Sequence, residues 1–215
     1  MDRDERVVRE LVRAHGRTYA EEAGIRLKDT PQPLYRLLVL AHLLSARIRG
    51  SIAVATARAL QEAGLGDPRR MAEADWQERV DALGRGGYRR YDERTATQLG
   101  EAAELLTERW GGDLRRLRRE ADGEVPELRR LLQEFPGVGP AGADIFLREA
   151  QHVWPEAAPY LDRKALQGAE RLGLPAEPDR LVGLAGSTEP AVLAAALVRA
   201  AVDKEVAEDS LARAG

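Results

Sequence analysis

Apolar residues recur every three or four positions along almost the whole chain, and strict alternation of apolar with polar residues is almost absent. That period puts the apolar side chains on one face of a helix and predicts an all-α protein of about ten to twelve short helices. Val8, Leu11 and Val12 mark a first helix that ends near Gly16. Residues 17–32 are polar, and Thr30-Pro31-Gln32-Pro33 reads as a connector. Leu34 to Ala46 is apolar nearly all round, which predicts a central buried helix. Ser51 is the expected cap of the next helix, running to about Gly64. Asp67-Pro68, Asp75 and Asp113 each read as a helix start, and Gly84 and Gly111-Gly112 as stops. Leu99, Ala102, Leu106 and Trp110 give the long helix between them its inner side. Near the end, Ser187 or Thr188 is the expected cap of a last helix carrying Leu193, Leu197 and Ala201.

Two amphipathic patterns flank Phe135-Pro136-Gly137-Val138-Gly139. Val125, Leu128, Leu131, Leu132 and Phe135 form the face before the turn, and Ala143, Phe146, Leu147 and Ala150 the face after it. Glycines in such a turn open conformations closed to other residues and leave no Cβ in the way. Pro140 near the first turn of the second helix leaves unpaired N–H groups facing the loop. Those donors and the helix dipole suit an anion such as phosphate. Gly137, Val138, Gly139 and Ala141 are therefore the candidate grip, with Val138 turned inward as its lock. Loop carbonyls could hold a monovalent cation, Na+ or K+, bridging to that phosphate. A plain interhelical turn would carry the same residues.

Composition narrows the function classes. The 215 residues contain no cysteine, so disulfides, thiolate metal ligands and an iron–sulfur cluster are excluded. Three scattered histidines do not suggest a zinc site. No apolar run approaches the length of a membrane span, and the charged start, MDRDERVVRE, lacks a signal peptide's apolar block. An intracellular, nucleoid-associated monomer is the expectation. The net charge of −3 does not itself suggest nucleic acid. The distribution of arginine does: it far outnumbers lysine and clusters at Arg47/Arg49, Arg85/Arg89/Arg90, Arg115/Arg116/Arg118/Arg119 and Arg129/Arg130. Guanidinium offers phosphate a planar fork of donors. Each cluster would equally serve as a solvated helix face.

The hairpin, followed by Tyr160-Leu161-Asp162, resembles the signature of the helix-hairpin-helix DNA glycosylase superfamily, to which endonuclease III and the adenine mismatch glycosylase belong. Leu43-Leu44-Ser45-Ala46, Gly87-Tyr88 before a long helix, and Gly112-Asp113-Leu114 are similar to segments of endonuclease III, collinear from about residue 33 to 174. The resemblance implies a two-lobed helical fold. Residues 30–133 would form a six-helix barrel lobe. Residues 1–29 with 134–215 would form the second lobe, with the hairpin motif at 125–151. Double-stranded DNA would bind between the lobes, with a target base flipped out of the stack.

Departures from the family pattern select the chemistry. Ala141 stands where endonuclease III has its Schiff-base lysine, so the usual strand-cleaving lyase route is absent. Ala41, beside His42, stands where the adenine glycosylase has a glutamate. Asp162 remains as the catalytic candidate, a carboxylate that would stabilise a cationic sugar and direct water. As the first residue before a helical pattern, Asp162 also reads as an ordinary N-cap. Lys164 is a candidate for phosphate contact. Arg47 lies where endonuclease III fills the gap left by the flipped base, and Tyr88 is expected to line the groove or stack on a base. Tyr91 reads more as a packing residue, and His42 as a satisfied core histidine.

The leading expectation is a monofunctional DNA glycosylase of base excision repair. The alternative is a non-catalytic relative that binds DNA by lesion or structure. A lyase using Lys164 and a helical module with no DNA role are weaker alternatives.

Overall fold

In the computed structural model residues 2–215 are described, and those residues form helices and connections with no strand. The chain divides into two compact units, Ala20–Leu147 and the combination of Met1–Tyr19 with Arg148–Gly215. This division differs from the expected one at residues 20–29 and 134–147, including the hairpin. Packing explains the hairpin's place. Phe135 is buried against Trp110, with ring centroids 5.4 Å apart. Gly137 lies directly against His42 and Gln98.

Ala20–Leu147 contains α3 (Pro31–Ser45), α4 (Gly50–Glu62), α5 (Pro68–Glu73), α6 (Trp76–Arg85), α7 (Asp92–Trp110), α8 (Leu114–Glu120) and α9 (Val125–Leu132). It also takes in most of α10 (Pro140–Ala150). A short helix, α2 (Tyr19–Glu22), lies in the segment expected to be a polar connector. Pro31 and Pro33 fall in the first turn of α3 rather than before it, since the first helical N–H groups need no intrahelical acceptor. Helix α3 buries Leu34, Leu37, Leu40 and Leu43 and packs on α4 and α8. Helix α7 packs on α5 and α6 and ends at Gly111, in the left-handed region at φ +63°.

Asp67, Asp75 and Asp113 each cap the helix that follows by accepting from its first free amides. Ser51 does not cap α4. The helix begins one residue earlier, after Arg49, and has no side-chain cap.

The second unit contains α1 (Arg3–His15), α11 (Arg163–Arg171), α12 (Pro178–Ala185), α13 (Pro190–Val202) and α14 (Lys204–Ala214). Helix α13 begins after Glu189 rather than at Ser187 or Thr188, and it is not the last helix. It is buried nearly all round and packs against α1, α11 and α14. The α11–α13 crossing depends on Gly168. A Cβ there would lie 1.8 Å from the Leu197 carbonyl oxygen, so any side chain would push the helices apart. No single helix among the described residues is long and apolar enough to cross a membrane.

Candidate functional site

The hairpin joins α9 to α10. Phe135 is 1% exposed and Val138 3%, so two apolar anchors fix its ends in the core. The Val138 N–H donates to the Phe135 carbonyl at 2.9 Å, closing the turn. Gly137 takes φ +82°, where a side chain is strained. A Cβ there would also lie 2.4 Å from His42 Cε1 and 2.8 Å from Gln98 Oε1. Gly139 is different: it is exposed, and a Cβ there would meet nothing within 4 Å. The fold therefore requires glycine at 137 and leaves 139 open.

Beyond the turn, the N–H groups of Gly139, Ala141 and Gly142 have no hydrogen-bond partner among the described residues. The Gly139 carbonyl accepts from Ala143 N–H at 3.0 Å. Three donors at the start of an eleven-residue helix meet the requirement for an anion grip. The carbonyls of Pro136, Gly137 and Val138 accept no backbone bond among the described residues. No group of three or more carboxylate, histidine or cysteine side chains could hold a metal ion among the described residues.

A cleft of about 400 Å³ opens beside Gly137, within Ala20–Leu147. His42, Tyr88, Gln98 and Gly137 line it, with Arg47 and Arg94 also on its wall. A neighbouring cleft is lined by Arg47, Arg49, Arg89 and Arg90 together with Ile48 and Ile52. All five of these arginines are exposed, and none forms an ion pair among the described residues. Arg90 instead lies over the Tyr91 ring, 5.3 Å from its centroid.

Several other arginines are engaged within the fold. Arg115 pairs with Asp113 at 2.8 Å, Arg118 with Asp29 at 2.9 Å and Arg129 with Asp144 at 2.7 Å. Arg130 pairs with Glu127 and Glu134, and Arg109 with Glu120 and Glu134.

Tyr88 lies in the wall of the cleft but is 2% exposed, and its hydroxyl is 3.1 Å from Thr95 Oγ1. Its ring is a packing element with no free face for stacking. The half-buried Tyr91 is the ring that keeps some exposure, which reverses the order expected of the two. His42 is 5% exposed, and burial pushes its pKa from the ordinary 6.5 down to about 4. The Gln98 side chain opposes that shift and the Arg94 charge adds to it. The imidazole is therefore neutral at physiological pH.

Asp162 lies in the other unit, at the start of α11. Its carboxylate accepts from the Ala165 N–H at 3.2 Å, so it is the N-cap its position predicts. The same carboxylate pairs with Arg148, whose Nη1 lies 3.0 Å and 3.1 Å from its two oxygens. Both side chains are nearly out of solvent, at 8% and 10% exposure. The sequence reading missed Arg148. The signal for it was present: an arginine in the largely apolar second half of α10 needs a carboxylate once buried.

Gln151 fixes the loop leading to Asp162. It donates to the carbonyls of Arg148 and Tyr160 and accepts from the Tyr160 N–H at 2.7 Å. Lys164 is exposed and contacts Gln167 at 3.3 Å.

Among solved structures, the chain is similar to the endonuclease III of a trapped endonuclease III–DNA covalent intermediate, an estranged-adenine complex. The two are 17% identical with a TM-score of 0.49, over 91% of this chain and 84% of that one. No family model matches the sequence, and no curated protein does either.

Proposed function

We propose that the protein binds double-stranded DNA through the hairpin and the arginines beside it, without releasing a base. The observation that carries this reading is the set of five exposed arginines around one pair of clefts that have no carboxylate partner among the described residues, with Gly137 of the hairpin in the wall. Unpaired guanidinium groups are free to replace the counterions of a phosphate backbone. The three partnerless amides after Gly137 add uncharged donors for a single phosphate.

Asp162 supports binding over catalysis. Stabilising a cationic sugar requires uncompensated negative charge at the reacting carbon. The Arg148 guanidinium compensates that charge at 3.0 Å in a nearly dry setting.

Fluorescence polarisation with a labelled duplex tests the proposal. Affinity should fall steeply between 50 and 200 mM salt, with a log–log slope of about −3 to −5, as expected for four or five phosphate contacts at about 0.9 each. A protein that ignores duplex DNA at 50 mM salt refutes the reading. Gly139→Ala adds a methyl group where the fold leaves open space, so it should lower affinity several-fold while the thermal melt stays unchanged.

The second reading is monofunctional base excision. It is favoured by the rigid placement of Asp162 as a helix cap. Duplexes carrying a panel of lesions, incubated and then treated with alkali, separate the two. Alkali-dependent breaks that vanish in Asp162→Asn would move the assignment to excision, and intact strands are expected.

A further inference from the structure

The cleft lined by Ile48 and Ile52 has an apolar floor that phosphate binding does not use. Its volume is about 520 Å³, and both isoleucines are half-buried. Arg47, Arg49, Arg89 and Arg90 surround them, and no carboxylate lines the space. The Tyr88 hydroxyl beside them is taken by Thr95. A fitting occupant therefore carries an apolar group inside a ring of negative charge.

The same unit carries such a surface. Trp76, the first residue of α6, is 42% exposed. Its Nε1 donates to the Glu93 carbonyl at 3.3 Å and lies 3.2 Å from Thr97 Oγ1, which holds the ring in place. Glu73, Asp75 and Glu78 are exposed close to it in sequence, and Glu93 is exposed too. None of these four carboxylates forms an ion pair among the described residues. Trp76 does not line the cleft of its own copy. Helix α6 spaces the two surfaces, with Trp76 at its start and Gly87 of the cleft two residues past its end.

We infer that this cleft receives the Trp76 surface of a second copy of the chain. The exposed part of the indole covers Ile48 and Ile52, and guanidinium groups lie over the ring. Glu73, Asp75, Glu78 and Glu93 meet the arginines that remain. Tryptophan and arginine are the side chains that most often dominate the binding energy of a protein contact. The ring is already fixed by its two hydrogen bonds, so docking costs it little rotamer freedom. The contact departs from the monomer expected of the sequence. It also uses the arginines that face DNA, so a copy engaged in this way has that surface covered.

Sedimentation equilibrium without DNA tests the contact. At about 50 mM salt the average mass should rise above that of one chain as protein increases from about 10 μM to about 1 mM, the span of weak association. Arg89→Glu with Arg90→Glu should weaken association at least about tenfold, and so should Trp76→Ala. Glu73→Lys with Glu78→Lys should do the same at exposed positions, so a folding defect in Trp76→Ala leaves the test intact. Mixing the double-arginine variant with Trp76→Ala should restore association, because each supplies the surface the other lacks. Val202→Ala, at the other exposed large apolar side chain, should change nothing. A wild-type protein that stays a single chain up to about 1 mM overturns the inference. Association that survives the double-arginine variant, is lost in Val202→Ala, or is not restored by mixing also overturns it. Because no DNA is present, each of these failures leaves the DNA-binding reading standing.

Discussion

Arg47, Arg49, Arg89, Arg90 and Arg94 near Gly137, and Arg109, Arg129 and Arg130 on α7 and α9, share a residue type yet differ in their electrostatics. Arg109, Arg129 and Arg130 are each matched to a carboxylate within the fold, and Arg130 is matched to two. Their charge is used to tie α7, α8, α9 and α10 together. Arg47, Arg49, Arg89, Arg90 and Arg94 have no such match. The difference explains how a chain with net charge −3 can present a cationic surface. Acidic residues are in excess overall, but none lines either of the two clefts among the described residues. Counting arginines along the sequence overstates the binding surface, and tracing their partners corrects it.

The sharpest way to break the comparison is at its most buried paired case. Arg148→Ala leaves Asp162 charged in a nearly dry position and should lower unfolding free energy by about 3–5 kcal/mol in urea titrations. A loss below about 1 kcal/mol would mean that solvent already shields the pair.

Next is the unpaired group. Replacing Arg47, Arg49, Arg89 and Arg90 together with Ala should weaken duplex binding by about 100-fold or more and make the salt slope shallower by about 3 to 4. An unchanged slope would remove these residues from the DNA contact.

Acid acts on the uncharged floor of the same region. His42 is neutral when folded because its pKa is depressed to about 4, whereas the unfolded chain protonates near 6.5. The unfolded state therefore binds more protons between those values, and stability falls as pH drops from about 6.5 to 4. The loss reaches at most about 3 kcal/mol. His42→Gln should flatten that part of the pH–stability curve.

The smallest effect belongs to the paired exposed arginines. Arg130→Ala should leave duplex affinity within about twofold and shift the melting temperature by about 2 °C at most. A tenfold loss of affinity there would erase the distinction between the two groups.

Local features of the fold were readable in the sequence, and distant ones were not. Asp67, Asp75, Asp113 and Asp162 cap their helices as expected, because a cap bonds amides two or three residues away. The hairpin glycines and the inward Val138 were legible for the same reason. Thr30-Pro31-Gln32-Pro33 misled because proline marks both a connector and a helix's first turn. The partition of arginines was hidden, since Arg118 finds Asp29 across 89 residues. The nearness of His42 and Gln98 to Gly137 was hidden too, because it brings together α3, α7 and the turn. The resemblance leaves open whether Tyr88 lines the groove, stacks on a base or packs. Only packing shows that its hydroxyl is occupied by Thr95 and its ring is enclosed.

Gln151 has a consequence for how this chain tolerates change. Its amide bridges Arg148 and Tyr160 much as a neighbouring strand would, fixing both ends of the excursion through residues 152–159. Between those ends Trp154 is fully buried, so the excursion is pinned at its middle as well, and a change in its length would have to displace a core side chain.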